Sequence, residues 1–294
     1  MSRKTRRWAL FVFVAIGLIL VNYPLIAVVV NDMFAIRNNA VLEDIVEDSS
    51  INREKLAAMR AYNADLMNHK PDPRNVDMLD LVQQGALLGY LEIPSIDVYA
   101  AVRYGTSTEV LEKDLGLLEE NSLPAGGKGC HAAVSGHTGM ASKKMLTDLT
   151  AVEMGDVFFF HTFGLHLAYE VDQIETILPN DPRRADLLAI DPEADLMTLI
   201  TCTPYGVNSH RLLVRGHRLP NYDFSKSADE QGLNSSRHLS DVERMRYIIA
   251  LVSLLLLILM LILTLRGLKK DKERDARKAR KAAAAAKAKL KRKG

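Results

Sequence analysis

The sequence predicts a mainly β domain, built as a closed or nearly closed barrel and held between two membrane-spanning helices. Three observations carry that reading: short segments of strand composition through the middle of the chain, two long uncharged apolar runs towards its ends, and a charge distribution that separates ends from middle. The 294 residues carry 38 Lys and Arg against 36 Asp and Glu, a formal net charge of +2. Residues 1–7 hold four basic side chains and no acid, and residues 266–294 hold 14 basic and 3 acidic, which leaves −13 for residues 8–265. That partition excludes a uniformly basic nucleic-acid binder. Apolar residues at 48%, with Gly 17 and Pro 10, exclude a collagen-like or wholly disordered chain. Two cysteines cannot build a disulfide scaffold, so the fold rests on a hydrophobic core.

From Trp8 to Val30 there are 23 residues without a formal charge. As a helix they would be ~34 Å long, enough for a bilayer core of ~30 Å. A cleaved signal peptide shares the basic start Arg3, Lys4, Arg6, Arg7, but its apolar region is shorter, at ~7 to 15 residues. An uncleaved anchor over 8–30 is therefore expected. The second run, Tyr247 to Leu265, is apolar at 17 of 19 positions and is followed at once by Arg266, Lys269 and Lys270. The positive-inside rule then puts both termini in the cytoplasm and residues 31–246 outside the cell membrane, a two-pass topology. The basic tail, 266–294, reads as a topology signal facing anionic lipid headgroups rather than as a nucleic-acid site. The acidic balance falls wholly on the outer domain.

Residues 39–68 read as helical, with Leu42, Ile45 and Val46 and then Leu56, Met59, Tyr62 and Leu66 spaced at three or four, and Ser50 or Asn52 as a cap between two helices. His69-Lys70-Pro71-Asp72-Pro73-Arg74 breaks that pattern. Beyond it the chain turns to β: 88–93, 98–103, 130–135, 157–161, 166–172, 196–202 and 211–218 are short runs bounded by Gly, Pro, Asn and Asp. Residues 108–120 and 143–149 read as short helical inserts. Seven or more such strands with little parallel repetition point to a barrel.

Cys202 ends the apolar strand Leu196 to Thr201 and runs into Thr203-Pro204-Tyr205-Gly206, so its thiol sits where a rigid strand meets a turn. A nucleophilic thiol needs a nearby cation and a proton-transfer partner. His137, in Ser135-Gly136-His137-Thr138-Gly139, also sits just past a strand, and Arg211 follows Cys202 by nine residues, a spacing that fits a loop and the start of the next strand. Cys130 lies seven positions before His137 along a regular strand, ~20 Å from it, which excludes a bridge to Cys202 and makes Cys130 a buried structural thiol. His131, His161 and His166 have no metal-ligand company and read as structural, so no metal and no cofactor is expected.

The segment Thr198-Leu199-Ile200-Thr201-Cys202-Thr203-Pro204-Tyr205-Gly206-Val207-Asn208-Ser209-His210-Arg211-Leu212-Leu213-Val214-Arg215-Gly216 resembles the active-site signature of class C sortases, the pilin-polymerising cysteine transpeptidases of Gram-positive bacteria. His131 to Gly139 resembles their catalytic-histidine segment, and the likeness runs from about Tyr62 to Arg218. It implies a closed eight-stranded sortase barrel with short helices and an N-terminal helical and lid region, flanked by the two transmembrane helices. The expected division is 1–7 cytoplasmic, 8–30 transmembrane, 31–80 helical region and lid, 81–222 catalytic barrel, 223–246 linker, 247–265 transmembrane and 266–294 cytoplasmic tail.

The resemblance implies that Cys202 attacks the Thr-Gly carbonyl of an LPxTG-like sorting signal to give a thioester. His137 moves the protons of the leaving and incoming amines. Arg211, rather than Arg215, stabilises the oxyanion or holds the substrate. A Lys amine of another pilin subunit then resolves the thioester as an isopeptide bond. Thr201, Tyr205 and His210 are the candidate substrate contacts, and Arg215 reads as a strand-face residue. Class C sortases carry an Asp-Pro-aromatic lid whose Asp meets the catalytic arginine; here Asp72-Pro73 is followed by Arg74, so no ring caps Cys202: either Arg74 covers the site, its charge supplementing that of Arg211, or the segment is a linker, and a lid with an Asp72 to Arg211 contact is the expectation. The alternatives are a housekeeping-type sortase that anchors proteins to peptidoglycan, a cysteine peptidase of the same site chemistry, and a non-catalytic outer-face scaffold.

Overall fold

The computed structural model describes residues 3–23, 51–68, 80–139, 143–234 and 238–291. The chain forms two compact units, one of residues 1–26 with 245–294 and one of residues 27–244. In the second unit eight strands close into a barrel in the order β1-β2-β3-β4-β7-β8-β6-β5. They are β1 Leu87–Ile93, β2 Val98–Tyr104, β3 Leu115–Leu117, β4 Cys130–Ser135, β5 Val157–Thr162, β6 Leu165–Ile177, β7 Asp195–Thr203 and β8 His210–Arg218. Closure leaves no unpaired edge. β2 with β3 and β4 with β7 are parallel, and the other pairs are antiparallel. At the β1–β5 seam Gly89 takes φ 154, and a Cβ there would lie 2.1 Å from the carbonyl oxygen of His161, so only glycine lets the two backbones meet.

Side chains alternate across the barrel wall with the period of two that strands impose. Along β7, Met197 and Leu199 join the interior with Leu212 and Val214, whereas Ile200 packs outward with Ala133 and Leu213. The helix α2, Ile51–Met67, covers part of the interior: Met59 and Tyr62 are buried in the same cluster. Each such burial contributes about 2 kcal/mol. Asn63 fixes its position by a reciprocal pair, Nδ2 donating to the Leu123 carbonyl and Oδ1 accepting from the Leu123 N–H, both at 2.8 Å.

The barrel has one strand more than the seven segments of strand composition. Of the expected helical insert 108–120 only α3, Thr108–Leu111, is helix, and β3 follows it. The strand is three residues long and centred on Gly116, where a Cβ would stand 2.4 Å from the Gly105 carbonyl oxygen; close backbone approach rather than side-chain pattern defines it. The expected insert 143–149 is not a helix: Met145 has φ +46, outside the right-handed region, and the segment turns into a 3₁₀ turn at Leu149–Ala151. Asn52 lies within α2 rather than ahead of it, and Ser50 lies outside the described residues.

A short helix α4, Arg183–Leu187, precedes β7, and α5, Asp241–Lys291, runs unbroken through the second apolar run and into the basic tail. Among the described residues one helix is long and apolar enough to cross a membrane, Asp241–Lys281. The first apolar run is described as α1, Arg3–Val21, which includes its four basic residues and does not meet that measure. In that unit Arg7 pairs with Asp271 at 2.9 Å.

His131 is a strand residue held neutral by its burial. Its Nδ1–H donates to the Ala189 carbonyl at 2.7 Å, so Nε2 accepts from the Thr198 hydroxyl at 2.8 Å. Burial pushes its pKa below the ordinary value. The native state therefore binds fewer protons than the unfolded chain just below the unfolded pKa of ~6.5, and stability is lost as pH falls from there through the native pKa. Thermal unfolding followed between pH 7.5 and 5 should show a melting temperature that falls with pH, and His131→Gln should flatten that slope.

Candidate active site

The strand β7 brings the site together because it lies between β4 and β8. Its antiparallel register with β8 sets Cys202 directly opposite Arg211. Directly opposed residues project to the same face with Cβ atoms ~5 Å apart. On its other side β7 runs parallel to β4, with Ser135 opposite Ile200. Gly136 extends this pairing by donating its N–H to the Ile200 carbonyl at 3.0 Å. His137 follows directly, in the loop just past the paired end of β4. The three residues expected to carry the chemistry thus gather at one end of the barrel, all half-buried.

Thr201, expected to touch substrate, is 1% exposed, and its hydroxyl donates to the Gly136 carbonyl at 2.8 Å. That expectation is corrected: Thr201 faces the protein and ties the histidine loop to β7. Since its proton is directed at Gly136, the 2.8 Å contact with Thr138 has the Thr138 hydroxyl as donor. Both neighbours of His137 are therefore bonded to the residue beside the thiol. Sequence reading did not single out Thr138, because a hydroxyl in a glycine-flanked loop carries no pattern of its own.

Tyr205 is 42% exposed, and a Cβ at Gly139 would stand 3.3 Å from its ring, so the ring lies over the loop that follows His137. His210, at the start of β8, is half-buried with Nδ1 2.8 Å from the Ser209 hydroxyl. The Arg211 guanidinium donates to the carbonyls of Asn208 at 3.2 Å and His210 at 3.1 Å. Asn208 takes φ +57, a left-handed conformation that asparagine tolerates, and so turns its carbonyl towards the arginine. Among the described residues no carboxylate pairs with Arg211. Asp72, Pro73 and Arg74, the expected lid, lie outside the described residues.

Arg215 is engaged elsewhere: it forms a two-pronged contact with Asp172 at 2.9 and 3.0 Å on the strand face. Its four-residue offset from Arg211 keeps the same face but moves it along the strand, opposite Thr198. His161 and His166 meet Nδ1 to Nδ1 at 2.6 Å, with the His161 ring stacked on Tyr90, on β5 and β6 rather than on the site strands.

The two cysteines are both free and occupy opposite ends of the parallel β4–β7 pair, Cys130 being opposite Asp195 and Cys202 seven residues further on. Cys130 is 2% exposed, and burial first, then the Asp195 carboxyl, pushes its thiol up to about 12. It stays protonated at neutral pH and is shielded from reagents. A strand-end thiol, an opposed guanidinium and an imidazole on a loop tied to the same strand are the groups that nucleophilic attack on a carbonyl, stabilisation of the oxyanion and transfer of a proton require.

Residues 91–219 match the family model described as a sortase domain. No curated protein matches the chain. Among solved structures the chain is similar to sortase C from Clostridium perfringens, at 37% identity and a TM-score of 0.54 over 61% of this chain and 97% of that one. A C. perfringens sortase C with the C-terminal cell wall sorting motif matches at 39% identity and a TM-score of 0.57, over 64% of this chain and 98% of that one. Sortase C from Streptococcus pneumoniae matches at 38% identity and a TM-score of 0.54, over 60% and 94% of the two chains.

A maleimide offered to the folded chain at pH 7 should label one cysteine, and Cys202→Ala should take up none. Intact-mass measurement after unfolding in guanidinium should then show a second label, on Cys130.

Proposed function

The chain belongs to the sortase family of transpeptidases, with class C sortases as its structural relatives, and from that premise we propose that it is a membrane-anchored polymerase of pilin subunits. The observation that carries the reading is the register that sets Cys202 against Arg211 while His137 is tied to the residue beside the thiol. The substrate is a sorting signal of LPxTG type, in keeping with the C. perfringens sortase C that is solved with the C-terminal cell wall sorting motif.

The Cys202 thiolate attacks the Thr-Gly carbonyl, and the oxyanion forms beside the Arg211 guanidinium, which is always charged and aims several N–H groups. His137 as imidazolium gives its proton to the leaving glycine amine, and the thioester forms on Cys202. The incoming Lys amine adds to the thioester, His137 removes its surplus proton, and the thiolate leaves as the isopeptide bond closes. An amine acceptor in place of water separates this reaction from that of a cysteine peptidase, and a pilin Lys in place of a peptidoglycan amine separates it from housekeeping anchoring. Two spans, 8–30 and 247–265, hold the domain outside the membrane with both termini inside. The basic flanks and the largely exposed apolar side chains of α5 support that topology.

The test incubates the full chain in detergent micelles with an LPxTG peptide and a pilin domain and reads the products by mass spectrometry. A pilin-linked peptide is expected, and it should be absent with Cys202→Ala. Arg211→Ala should lower kcat/KM by about 10²- to 10³-fold, the cost of removing one oxyanion donor. Hydrolysed peptide alone would establish a peptidase instead.

Asp72 is the lid residue of this reading. The Arg211 guanidinium, whose described partners are two backbone carbonyls, has donors left for a carboxylate. Asp72→Ala should therefore raise the rate at which a methanethiosulfonate reagent modifies Cys202; an unchanged rate rules the lid contact out.

A further inference from the structure

Buried charge is concentrated at one place in the barrel unit that the chemistry above does not use. Lys144, Asp148, Ser240 and Glu243 are 8%, 0%, 2% and 7% exposed. Lys144 Nζ donates to Glu243 Oε1 at 2.9 Å and lies 3.3 Å from Asp148 Oδ2. The Ser240 hydroxyl donates to Asp148 Oδ1 and accepts the Glu243 N–H at 3.0 Å, capping the first turn of α5. Two carboxylates and one ammonium are thus held out of water by each other and by a cap, and they join two segments some 95 residues apart in sequence. Removing a single partner leaves the rest buried and unpaired, so the cluster is rigid or it is not formed.

The turn that it grips leads straight to the catalytic histidine. Between Lys144 and Asp148 lie Leu146 and Thr147, both buried. Leu146 packs on the backbone of Gly136: a Cβ there would stand 2.9 Å from Leu146 Cγ. The Thr147 hydroxyl accepts the N–H of Gly139 at 3.2 Å. Both glycines that flank His137 and Thr138 are therefore in contact with the gripped turn, while Met145, at φ +46, fixes its shape. Close packing transmits displacement because there is no void to absorb it.

We infer that the Lys144–Asp148–Ser240–Glu243 cluster is a positioning clamp for His137, which makes the start of the C-terminal helix part of the apparatus that aligns the proton-transfer group. The inference rests on the reading of His137 as the acid and base of the reaction. The residues of the clamp touch no substrate; they act through Leu146, Thr147 and the two glycines. A misplacement of ~1 Å in such a group is enough for losses towards 10²-fold in rate.

The test uses the full chain in detergent micelles, with transfer of an LPxTG peptide to an amine as the assay and hydrogen exchange of the Gly136–Gly139 and Lys143–Asp148 amides as a second readout. Glu243→Ala should lower kcat about tenfold with KM within twofold, and speed exchange at those amides. Glu243→Gln, which keeps an oxygen for Lys144 Nζ, should restore most of kcat. Arg244→Ala, on the exposed side of the same turn, should leave both readouts unchanged. If Glu243→Ala does not fold, Ser240→Ala makes the same comparison. An unchanged kcat in a folded clamp variant overturns the inference, and so does an effect confined to KM. His137→Ala separates the two readings: full activity there removes the acid-base assignment, whereas loss there beside a normal Glu243→Ala removes the clamp alone. Amide exchange reads the clamp even in a chain that turns over no substrate.

Discussion

The register of β7 between its two neighbours is the constraint on which the site depends. Because strand side chains alternate, a slip of one residue would turn Cys202 into the packed interior and bring Thr201 or Thr203 to the outer face. The slip is opposed by volume rather than by any one bond. Met197 and Leu199 fill the interior against Leu212 and Val214, while Ile200 fills the outer cluster with Leu213. A closed barrel has no edge along which a strand can slide without breaking a ladder on both sides. The geometry between thiol and guanidinium is therefore set by residues that never meet substrate.

Position along the strands then decides which of two similar groups stays open to an incoming molecule. Cys130 and Cys202 lie on paired strands, but one is covered by α2 and the barrel end, with Asn63 Nδ2 3.8 Å from its sulfur, and the other opens onto a turn. Arg211 and Arg215 share a face of β8, yet Arg215 is gripped by the fork of Asp172 while Arg211 holds only carbonyls of its own turn. In each pair the residue at the strand end keeps capacity for an incoming group, and its counterpart uses that capacity on structure.

This explains what was legible in the sequence. Strand ends are marked by local signals, an apolar run meeting Pro, Gly or Asn, so Cys202, His137 and Arg211 are legible as strand-end residues, while their company follows from the resemblance to class C sortases. The apolar alternation that builds the barrel is also local, and seven of its strands were readable. β3 was not, because three residues around Gly116 carry no periodicity and are defined by a backbone that packs against Gly105. Residues 143–149 misled for a related reason: their composition suits a helix, but Met145 adopts a left-handed backbone that only the surrounding packing explains. Thr201, a candidate substrate contact by sequence, adjoins Cys202, but alternation sends its side chain to the other face. Adjacency in sequence along a strand is opposition in space.

The three groups gathered at the end of β7 are held by different means, and that difference shapes the rest of the unit. Cys202 and Arg211 belong to a hydrogen-bonded ladder, which fixes them as long as the barrel is closed. His137 belongs to a loop that has left the ladder, and the proposed reaction asks it for two proton transfers of opposite sense at one spot. Each hydrogen bond to that loop is worth only about 1 kcal/mol net, too little to define a position alone. Several acting on adjacent residues can define one: the Ile200 carbonyl and the Thr201 hydroxyl on Gly136, Thr201 on Thr138, Thr147 on Gly139. Buried threonine hydroxyls suit this use, since each can donate and accept at once and none carries a charge that would disturb the imidazole. The loop is thus made as rigid as a strand by ties that run to its glycines and leave the histidine side chain free to exchange protons.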